Sequence, residues 1–589
     1  MATIAHPTYV LGISCFYHDA AAALFCDGEL VAAVEEERFT RRKHDSAYPV
    51  NAVRYCLEHV GIGPERVDAV GFYEKPLLKF ERILSSVVDT FPHSLPLFQA
   101  AMPLWLKERL FIASAIRGQL RGYRGRLYFT EHHLSHAASA FLVSPFEEAA
   151  IITMDGVGEW ATSTYGRGKG REVQLTHEIR FPHSIGLLYS AFTAHLGFEV
   201  NEGEYKVMGL APYGKPTLVD KVRQVVDVKS DGSFRLDMSY FAYHQRLKTT
   251  GPKFEKAFGP PRMPDGPFTD QHADLAASIQ AIVEEVVLNA ARHLHRETGL
   301  SRLVMAGGVA LNCVANGRVL RETPMKELWV QPAAGDSGGC VGVAAYVSNT
   351  ILKVAERHVM THAYLGPSFD DAAIRSFLTE NEIAFTEEPD ETLIPKVAQL
   401  LAEDRVIGWF RGRMEFGPRA LGGRSILANP MKPEMRDIVN EKIKHREQFR
   451  PFAPSVIAEE ASTYFDLPIE SPYMLIVAPV HPDKRHLLPA ITHVDGSARV
   501  QTVTREQNPA YHRLIAEFGK ITGVPVVLNT SFNIRGEPIV NTPAEAFNCF
   551  AHTDMDYLVL GSCLIGADAK KRLRAYPGST RVELQQGVL

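Results

Sequence analysis

The strand and turn pattern of the first 38 residues constrains the fold more than any other feature of this chain. Three apolar runs with strand character cover residues 10–15, 20–25 and 30–34. An Asp-Gly pair separates the second run from the third, and such a pair between apolar runs predicts a β-hairpin. A tight polar turn, Phe16-Tyr17-His18-Asp19, separates the first run from the second. The chain is therefore expected to begin as strand, polar turn, strand, tight turn and strand.

A second unit of strand and glycine turn follows much later. Residues 149–154 form an apolar run that leads into Asp155-Gly156-Val157-Gly158, and residues 303–306 form a short run that leads into Gly307-Gly308. Glycines between a strand and a helix let backbone N–H groups approach a phosphate or ribose closely. The opening hairpin is how actin-like and sugar-kinase-like ATPases begin, so the repeated pattern predicts a duplicated α/β ATPase core.

The length requires more than one hydrophobic core, since 589 residues allow about two to four domains. Composition shifts near residues 351–366, and we place a boundary there between a domain of residues 1–358 and a domain of residues 359–589. Strand signals at 406–410 and 524–528 predict that the second domain is also α/β. Residues 200–268 have no strong period, and their motif NEGEYKVMGLAPYGK is expected to be an ordered loop.

Composition excludes several classes of protein. With 46% hydrophobic and 22% charged residues and a mean hydropathy of −0.09, the chain is neither disordered, collagen-like nor embedded in a membrane. A net charge of −5 does not indicate non-specific nucleic-acid binding, which depends on positive charge that neutralises phosphates. Seven scattered cysteines without CxxC spacing, and no Lys or Arg before Arg38, favour a cytoplasmic enzyme without a signal peptide. We expect neither a nucleic acid nor a membrane as partner.

The clearest chemical motif is EHHLSHAASAF, which is expected to be helical. Residues four apart lie on one face of a helix, so His132 and His136 can share a metal ion, whereas His133 is rotated about 100° away. Asp155 and Asp336, each in a glycine turn, can complete a mixed site. Such a site suits iron, manganese or zinc rather than calcium. The alternative is a surface histidine pair with two ordinary turn aspartates.

Two further features lie near the first hairpin. His18 and Asp19 occupy the turn after the first strand, where a side chain points into any cleft at the strand ends. A structural histidine is the alternative. The basic run Arg41-Arg42-Lys43-His44 follows the third strand, and it is either a solvated loop or a contact for an anion.

A basic region lies in the last third of the chain. Residues 405–450 hold eleven Lys or Arg against five acids, interleaved with Gly, Pro and Phe. This pattern predicts a small phosphate-binding pocket, because guanidinium and ammonium groups bind phosphate and hydroxyl donors complete the shell. A solvated charged face is the alternative. The candidate ligands are Arg419, Lys444, Arg450, Arg499, Asn529 and Ser531.

With these motifs together, the chain resembles the O-carbamoyltransferase family of the nodulation protein NodU, the cephalosporin enzyme CmcH and the tobramycin enzyme TobZ. The resemblance covers nearly the whole chain. It implies an actin-like ATPase (ASKHA, TsaD-like) N-terminal domain and a YrdC-like α/β C-terminal domain. The motifs on which the resemblance rests are GISCFYHDAAAALF, EEERFTRRKHD, EHHLSHAASAF, MDGVGEW, NEGEYKVMGLAPYG, GGVALN, GDSGG, FGPRALGGRSILA, REQFRPFAP and LNTSFN.

The resemblance also implies a reaction. The YrdC-like domain handles carbamoyl phosphate, and carbamate attacks ATP to give carbamoyl adenylate and pyrophosphate. The TsaD-like domain then passes the carbamoyl group to a hydroxyl of a small molecule, an antibiotic or other secondary metabolite. Implied cofactors are Fe²⁺, with Mn²⁺ or Zn²⁺ as alternatives, and ATP with Mg²⁺ as co-substrate. The acceptor alcohol and the oligomeric state stay open, a homodimer being one candidate.

Motif by motif, the resemblance implies roles for individual residues. His132, His136, Asp155 and Asp336 match the iron ligands, and His18 matches the general base for the acceptor hydroxyl. Lys43 matches a contact to the adenylate, and Gly308 and Asn312 fall in the nucleotide loop. The six candidate ligands for phosphate, of which three lie in the basic region and three follow it, match the carbamoyl-phosphate site: Arg419, Lys444, Arg450, Arg499, Asn529 and Ser531.

Two other functions remain as hypotheses. A tRNA threonylcarbamoyl-modifying protein would contain both half-folds, but the net charge of −5 and the lack of an extended basic stripe argue against tRNA. A non-catalytic ATP-binding module of the actin-like class would leave the basic region unexplained.

Overall fold

The computed structural model describes residues 6–264, 266–354 and 357–570. These residues divide into two compact units. The first unit holds the chain up to Glu36 and then Ser46–Met360, and the second holds Glu37–Asp45 and the chain from Thr361 onward. The division at residue 360 lies close to the boundary predicted at 358. The short segment 37–45 belongs to the second unit, and no composition signal marks this.

The strands of the described residues are β1 (Tyr9–Ser14), β2 (Ala21–Cys26), β3 (Glu29–Glu35), β4 (Ala69–Phe72), β5 (Arg126–Phe129), β6 (Glu148–Met154), β7 (Ala161–Lys169), β8 (Glu172–Arg180), β9 (Val226–Val228), β10 (Phe234–Leu236), β11 (Arg302–Ala306), β12 (Glu327–Val330), β13 (Thr386–Glu387), β14 (Ile407–Phe410), β15 (Arg424–Ala428), β16 (Ala453–Ile457), β17 (Ile476–Pro479), β18 (Ser497–Val503), β19 (Val526–Ser531), β20 (Tyr557–Leu560) and β21 (Cys563–Gly566).

The α-helices of the same residues are α1 (Glu37–Thr40), α2 (Val50–His59), α3 (Pro76–Asp89), α4 (Leu95–Lys107), α5 (Ile112–Gln119), α6 (His132–Phe141), α7 (Ile185–His195), α8 (Glu204–Leu210), α9 (Val219–Val222), α10 (Pro252–Phe258), α11 (Asp270–Thr298), α12 (Cys313–Glu322), α13 (Gly339–Ala345), α14 (Asp371–Glu380), α15 (Asp390–Ala402), α16 (Glu434–Ile438), α17 (Ala461–Tyr464), α18 (Pro509–Thr522) and α19 (Pro543–Ala551).

The first unit contains two five-stranded sheets with the same topology. The order is β3-β2-β1-β4-β5 in one and β12-β11-β6-β7-β8 in the other. In the first sheet β1 pairs antiparallel with β2 and parallel with β4, and in the second β6 pairs antiparallel with β7 and parallel with β11. Every residue of β1 is buried, as expected for a strand covered on both faces. The repeat is the duplicated α/β core of the actin-like fold, and the predicted fold of this domain is confirmed.

Helices α6 and α13 pack against each other, α13 on strands β1 and β2 and α6 on strands β6 and β11. Glycines make this close approach possible. A Cβ atom on Gly342 of α13 would lie 1.8 Å from the carbonyl oxygen of Ser135 in α6. A Cβ atom on Gly12 of β1 would lie 1.9 Å from the carbonyl oxygen of Cys340 in α13. The position of α6 relative to both sheets therefore depends on residues without side chains at these contacts.

The region of residues 200–268 is more regular than its sequence predicts. The motif expected to be an ordered loop forms helix α8 and a 3-10 turn, Ala211–Tyr213, and both contact the long helix α11. Val207 and Leu210, three positions apart, are buried. Two buried apolar residues in a helix of seven residues are too few to show a period within a polar stretch, so packing on α11 decides the local structure.

A nine-stranded mixed sheet, in the order β13-β21-β20-β14-β15-β19-β16-β18-β17, forms the second unit. Alternate residues of its strands pack into two separate cores. In β19, Val526 and Leu528 belong to one core and Val527 to the other, which also contains residues of α15 and α18. Both faces of the sheet are therefore covered, and the predicted α/β class holds for this unit as well.

Within the part of the chain that the structure describes, no helix combines the length and the apolar character needed to cross a membrane. The seven cysteines are all free, and six of them are buried. This agrees with their interpretation as small apolar side chains.

The contact between α13 and α6 leads to a stability prediction. Gly342→Ala would place a methyl group against backbone of α6, so we expect unfolding to become easier by about 1–3 kcal/mol, as for overpacked cores. The matched control is Gly118→Ala in α5, where an added Cβ meets no atom within 4 Å. The control should gain about 0.5–1 kcal/mol from helix propensity. Urea denaturation measures both, and equal effects of the two variants would contradict the packing argument.

Candidate functional site

Four side chains of the types that can bind a metal ion meet at the carboxyl ends of the strands of the first unit. His132 and His136 lie in the first turns of α6, Asp155 directly follows β6, and Asp336 begins a 3-10 turn before α13. One donor atom from each of these residues lies within 4.8 Å of all the others. The four predicted ligands are thus brought together, and we call them the four-donor cluster.

The spacing of the donor atoms fits one ion. Ligand atoms about 2.1 Å from a tetrahedral ion lie about 3.4 Å from one another. His132 Nε2 is 3.4 Å from Asp155 Oδ2 and 3.6 Å from Asp336 Oδ1, and His136 Nε2 is 2.8 Å and 3.7 Å from the same atoms. Two carboxylates with two neutral imidazoles carry two negative charges, which a divalent cation offsets. The cluster can therefore hold a first-row transition metal.

The pKa shifts in the cluster keep its carboxylates ionised. Burial raises the pKa of Asp155, but hydrogen bonds from His132 and His136 outweigh it and hold that pKa well below its usual value. Burial also raises the pKa of Asp336, and the nearby charges of His18 and His132 bring it below the ordinary value. Burial lowers the pKa of His136, whereas its contacts with the two carboxylates raise it to about 9.

His18 lies beside the cluster. Its Nε2 is 3.9 Å from Asp336 Oδ2, and its Nδ1 is 2.8 Å from Asp19 Oδ2. Burial lowers the pKa of His18, but the carboxylates of Asp336 and Asp19 raise it to about 10. A cation held between Asp155 and Asp336 would offset the charge that causes this increase. The side chain is 19% exposed, so a substrate can reach it.

His133 stays outside the cluster, as the helical spacing predicts. Its Nδ1 lies 2.6 Å from the hydroxyl of Thr153, which in turn contacts the hydroxyl of Thr164. Burial and the neighbouring imidazoles of His132 and His136 hold the pKa of His133 well below its usual value. The ring is therefore neutral and has a structural role behind α6.

Three residues outside the sequence candidates hold the cluster in place. The carboxylate of Glu159 accepts hydrogen bonds of 3.1 and 3.0 Å from the backbone N–H of His132, at the start of α6. The hydroxyl of Ser184 donates to the carbonyl oxygen of Asp155, and a Cβ on Gly186 would lie 2.6 Å from that oxygen. Of these three residues, Ser184 could have been found from the sequence, because a serine directly before an apolar helical segment is a typical N-cap.

The two residues of the predicted nucleotide loop differ in what they contact. A Cβ on Gly308 would lie 3.1 Å from Asp155 Oδ1, so the loop reaches the four-donor cluster. Asn312 instead forms a reciprocal amide pair with Gln280, with both bonds 3.0 Å, and its Oδ1 accepts from Ala315 N to cap α12. Both polar atoms of the Asn312 side chain therefore have hydrogen-bond partners inside the protein.

Lys444 is the centre of the candidate anion site in the second unit. It ends a π-helical turn, Val439–Lys444, and it is buried. Its Nζ donates to the carbonyl and hydroxyl oxygens of Ser531 at 2.6 and 3.2 Å, and to the carbonyl and amide oxygens of Asn533 at 2.9 and 2.6 Å. All four acceptors are uncharged, so they orient the ammonium group without neutralising it.

Other cations surround Lys444. Burial lowers its pKa well below the usual value, and the charges of Arg446, Arg450 and Lys43 lower it further. Arg450 lies 3.6 Å from the carboxylate of Glu447. Such like charge disfavours the protonated amine, and a bound anion would favour it. Lys43 and Lys444, which the sequence assigned to different substrates, thus act on each other electrostatically within the second unit.

Asn529 lies on the same strand as Ser531 and on the same face of the sheet. Its Nδ2 donates to the carbonyl oxygen of Ala420, the hydroxyl of Ser455 and the amide oxygen of Gln501, at 3.2, 3.0 and 3.0 Å. Its Oδ1 is buried and has no hydrogen-bond partner among the residues described. A buried acceptor without a partner is costly, and it is suited to a ligand N–H.

The two remaining candidates lie next to this network. Arg499 is in β18, two residues before Gln501 and therefore on the same face of the sheet. Arg419 directly precedes Ala420, whose carbonyl Asn529 binds. The carboxylate of Glu415, not among the sequence candidates, shapes this loop by accepting from the N–H groups of Leu421, Gly423 and Arg424.

Several cations of the basic region have structural roles instead. The Arg424 guanidinium is fully buried, stacks 3.7 Å from the Phe410 ring centroid and donates to backbone carbonyls. Arg411 pairs with Asp390 at 2.7 Å, and Lys432 pairs with Asp404. The count of basic residues therefore overstates the size of the anion site.

Comparison with known proteins identifies the family. The family described as "Carbamoyltransferase N-terminus" matches residues 9–345, and "Carbamoyltransferase C-terminus" matches residues 398–567. The chain is 50% identical to the uncharacterized protein sll1178 of Synechocystis sp. over 96% of this chain and 97% of that protein. It is 41% identical to the nodulation protein NolNO of Sinorhizobium fredii over 97% of this chain and 81% of that protein.

Among solved structures, the chain is similar to HypF of T. kodakarensis, with 12% identity over 60% of this chain and 48% of that one and a TM-score of 0.31. The two family matches lie in both compact units and together cover most of the chain. The chain therefore belongs to the carbamoyltransferase family.

Proposed function

We propose that this protein is an ATP-dependent O-carbamoyltransferase that acts on a hydroxyl of a small-molecule natural product. It would convert carbamoyl phosphate and ATP to carbamoyl adenylate and then transfer the carbamoyl group. The observation that carries this proposal is the four-donor cluster with His18 beside it. Carbamate is a poor electrophile, and a mixed anhydride with AMP supplies the leaving group that it lacks.

The second unit supplies the chemistry of the first step. Hydrolysis of carbamoyl phosphate gives carbamate and phosphate, and a carbamate oxygen then displaces pyrophosphate from the α-phosphorus of ATP. The cations around Lys444 would bind the phosphate, because guanidinium and ammonium groups form charge-assisted hydrogen bonds with phosphate oxygens. Asn529 Oδ1 would accept a hydrogen bond from the carbamoyl NH₂.

His18 supplies the base for the transfer step. Its Nδ1 faces the carboxylate of Asp19, which favours the tautomer with the proton on Nδ1 and leaves Nε2 as the acceptor. The acceptor oxygen attacks the carbamoyl carbon, its proton passes to His18 Nε2, and AMP leaves. A divalent ion held by the four-donor cluster, which we propose to be Fe²⁺, would neutralise phosphate charge and polarise the anhydride.

The metal proposal is tested by metal content. Chain reconstituted anaerobically with Fe²⁺ should hold one tightly bound ion, and His136→Ala should lose it because one imidazole and its contacts to both aspartates disappear. His59→Ala, which removes an exposed imidazole from α2, is the matched control and should retain the ion. Elemental analysis after gel filtration measures the stoichiometry. Equal metal in the His136→Ala variant and in the control would exclude this site.

The two-step proposal predicts a division of labour between variants. Lys444→Ala or Arg450→Ala should abolish pyrophosphate release from ATP and carbamoyl phosphate. His18→Ala should preserve that release and slow transfer by about 10²–10⁴-fold, the usual contribution of a general base. A coupled pyrophosphate assay follows the first step, and mass spectrometry of a panel of candidate alcohols follows the carbamoylated product.

Two results would contradict this proposal. Loss of pyrophosphate release in His18→Ala would mean that the assignment of steps is wrong. Absence of carbamoyl-phosphate-dependent pyrophosphate release in the wild type, together with retardation of tRNA in a gel-shift experiment, would favour a tRNA-modifying protein instead.

A further inference from the structure

Residues 37–45, which we call the basic loop, form a small closed structure. One carboxylate oxygen of Glu37 accepts a 2.9 Å hydrogen bond from the backbone N–H of His44, and the other accepts a 2.6 Å bond from Arg38. The backbone N–H of Arg41 donates to the carbonyl of Glu37 at 3.0 Å. Glu37 therefore ties the start of the loop to its end. The loop belongs to the second unit, although more than 300 residues separate it from the rest of that unit.

Two arginines attach the basic loop to the rest of the second unit. Arg38 is 3% exposed and donates to the carbonyl oxygen of Gly417 at 2.8 Å, two residues before Arg419. Arg41 donates from its two Nη atoms to the carbonyl oxygens of Ile539 and Pro538, at 2.7 Å each. The planar guanidinium reaches two adjacent carbonyls at once, which a lysine side chain cannot do with the same geometry.

The segment that Arg41 holds is also the segment that Lys444 holds. Asn533, which accepts two hydrogen bonds from Lys444, donates from its Nδ2 to the carbonyl oxygen of Glu537 at 2.7 Å. Glu537 immediately precedes Pro538, an acceptor for Arg41. Residues 533–539 therefore form a short turn that Lys444 contacts at its first residue and Arg41 contacts at its last two residues.

Holding the basic loop in this position has a cost. Arg41 and His44 have φ values of 59° and 55°, in the left-handed region that side chains other than glycine disfavour. The loop also brings Lys43 near Lys444, Arg446 and Arg450, where like charges repel. Such strain persists only where surrounding contacts enforce it, and it is concentrated at functional sites. An anion bound among these cations would offset the repulsion.

We propose that Arg38 and Arg41 are positioning residues that dock the basic loop on the second unit, so that Lys43 completes its anion site. The identity of the anion as carbamoyl phosphate rests on the proposed function, whereas the existence of a composite anion site does not. The adjacent Arg42 has an exposed side chain and lies outside this arrangement.

The test measures binding of inorganic phosphate to the full-length chain by calorimetry at low ionic strength. Lys43→Ala and Arg41→Ala should each weaken binding about tenfold, the effect of losing about 1.4 kcal/mol of charge-assisted contact. Arg41→Lys should lose nearly as much, because it retains the charge but not the two-carbonyl fork. The matched control Arg42→Ala removes the same charge from the same loop and should stay within about twofold of wild type. Thermal unfolding checks that each variant is folded.

A double-mutant cycle separates positioning from general destabilisation. If Arg41 acts through Lys43, then Arg41→Ala should have little further effect on phosphate binding in the Lys43→Ala background. Additive losses, or an unchanged dissociation constant in Arg41→Lys, would overturn the proposal. Absence of phosphate binding in the wild type would overturn it as well. Wild-type phosphate binding without pyrophosphate release would refute the proposed function and leave this inference standing.

Discussion

The burial of two carboxylates beside two histidines is the constraint on which the first unit depends. The side chain of Asp336 is almost completely buried, and that of Asp155 is only slightly exposed. An uncompensated charge in such an environment is costly. His132 and His136 are hydrogen-bond partners of Asp155, and they lie on one face of α6 because they are four residues apart. The glycine contacts of α13 with α6 bring these groups to the strand ends. The geometry of the four-donor cluster therefore depends on the packing of the core.

In the second unit the buried charged group is a cation instead of a carboxylate. Lys444 is buried with four uncharged oxygen acceptors, and the charges that its amine senses are mostly positive. The first unit thus concentrates negative charge where a cation can bind, and the second concentrates positive charge where a phosphate can bind. Each sign of charge favours a ligand of the opposite sign within its own unit. Neither site is a solvated charged face, because its central groups are buried.

Much of the first unit could be predicted from the sequence because its signals are local. The hairpin of β2 and β3 follows from an Asp-Gly pair between apolar runs, and the shared face of His132 and His136 follows from helical spacing. Signals that depend on distant packing were weaker. Helix α8 has only two buried apolar positions within its polar motif, and its structure is decided by contact with α11. Glu159 supports His132 through a backbone hydrogen bond, which no side-chain pattern reveals.

The basic region shows why charge counting alone cannot define a site. Arg424 and Lys444 look alike in sequence, since both are cations among glycine, proline and aromatic residues. The guanidinium of Arg424 is consumed by backbone carbonyls and an aromatic ring, whereas Lys444 lies among other cations. The distinction depends on which acceptors the fold places nearby, and sequence spacing does not encode it.

The placement of the basic loop follows from hydrogen bonds at its two ends and in its middle. Glu36, the last residue before the loop, accepts from the backbone N–H groups of Asn51 and Ala52 at the start of α2. Ser46, the first residue after it, accepts from the N–H of Phe16 in the turn that carries His18. Both ends are thus fixed in the first unit, while Arg38 and Arg41 fix the middle in the second. A C-terminal fragment that begins at Thr361 would lack Lys43. The order of segments along the chain therefore makes the anion site a property of the whole protein rather than of its C-terminal part.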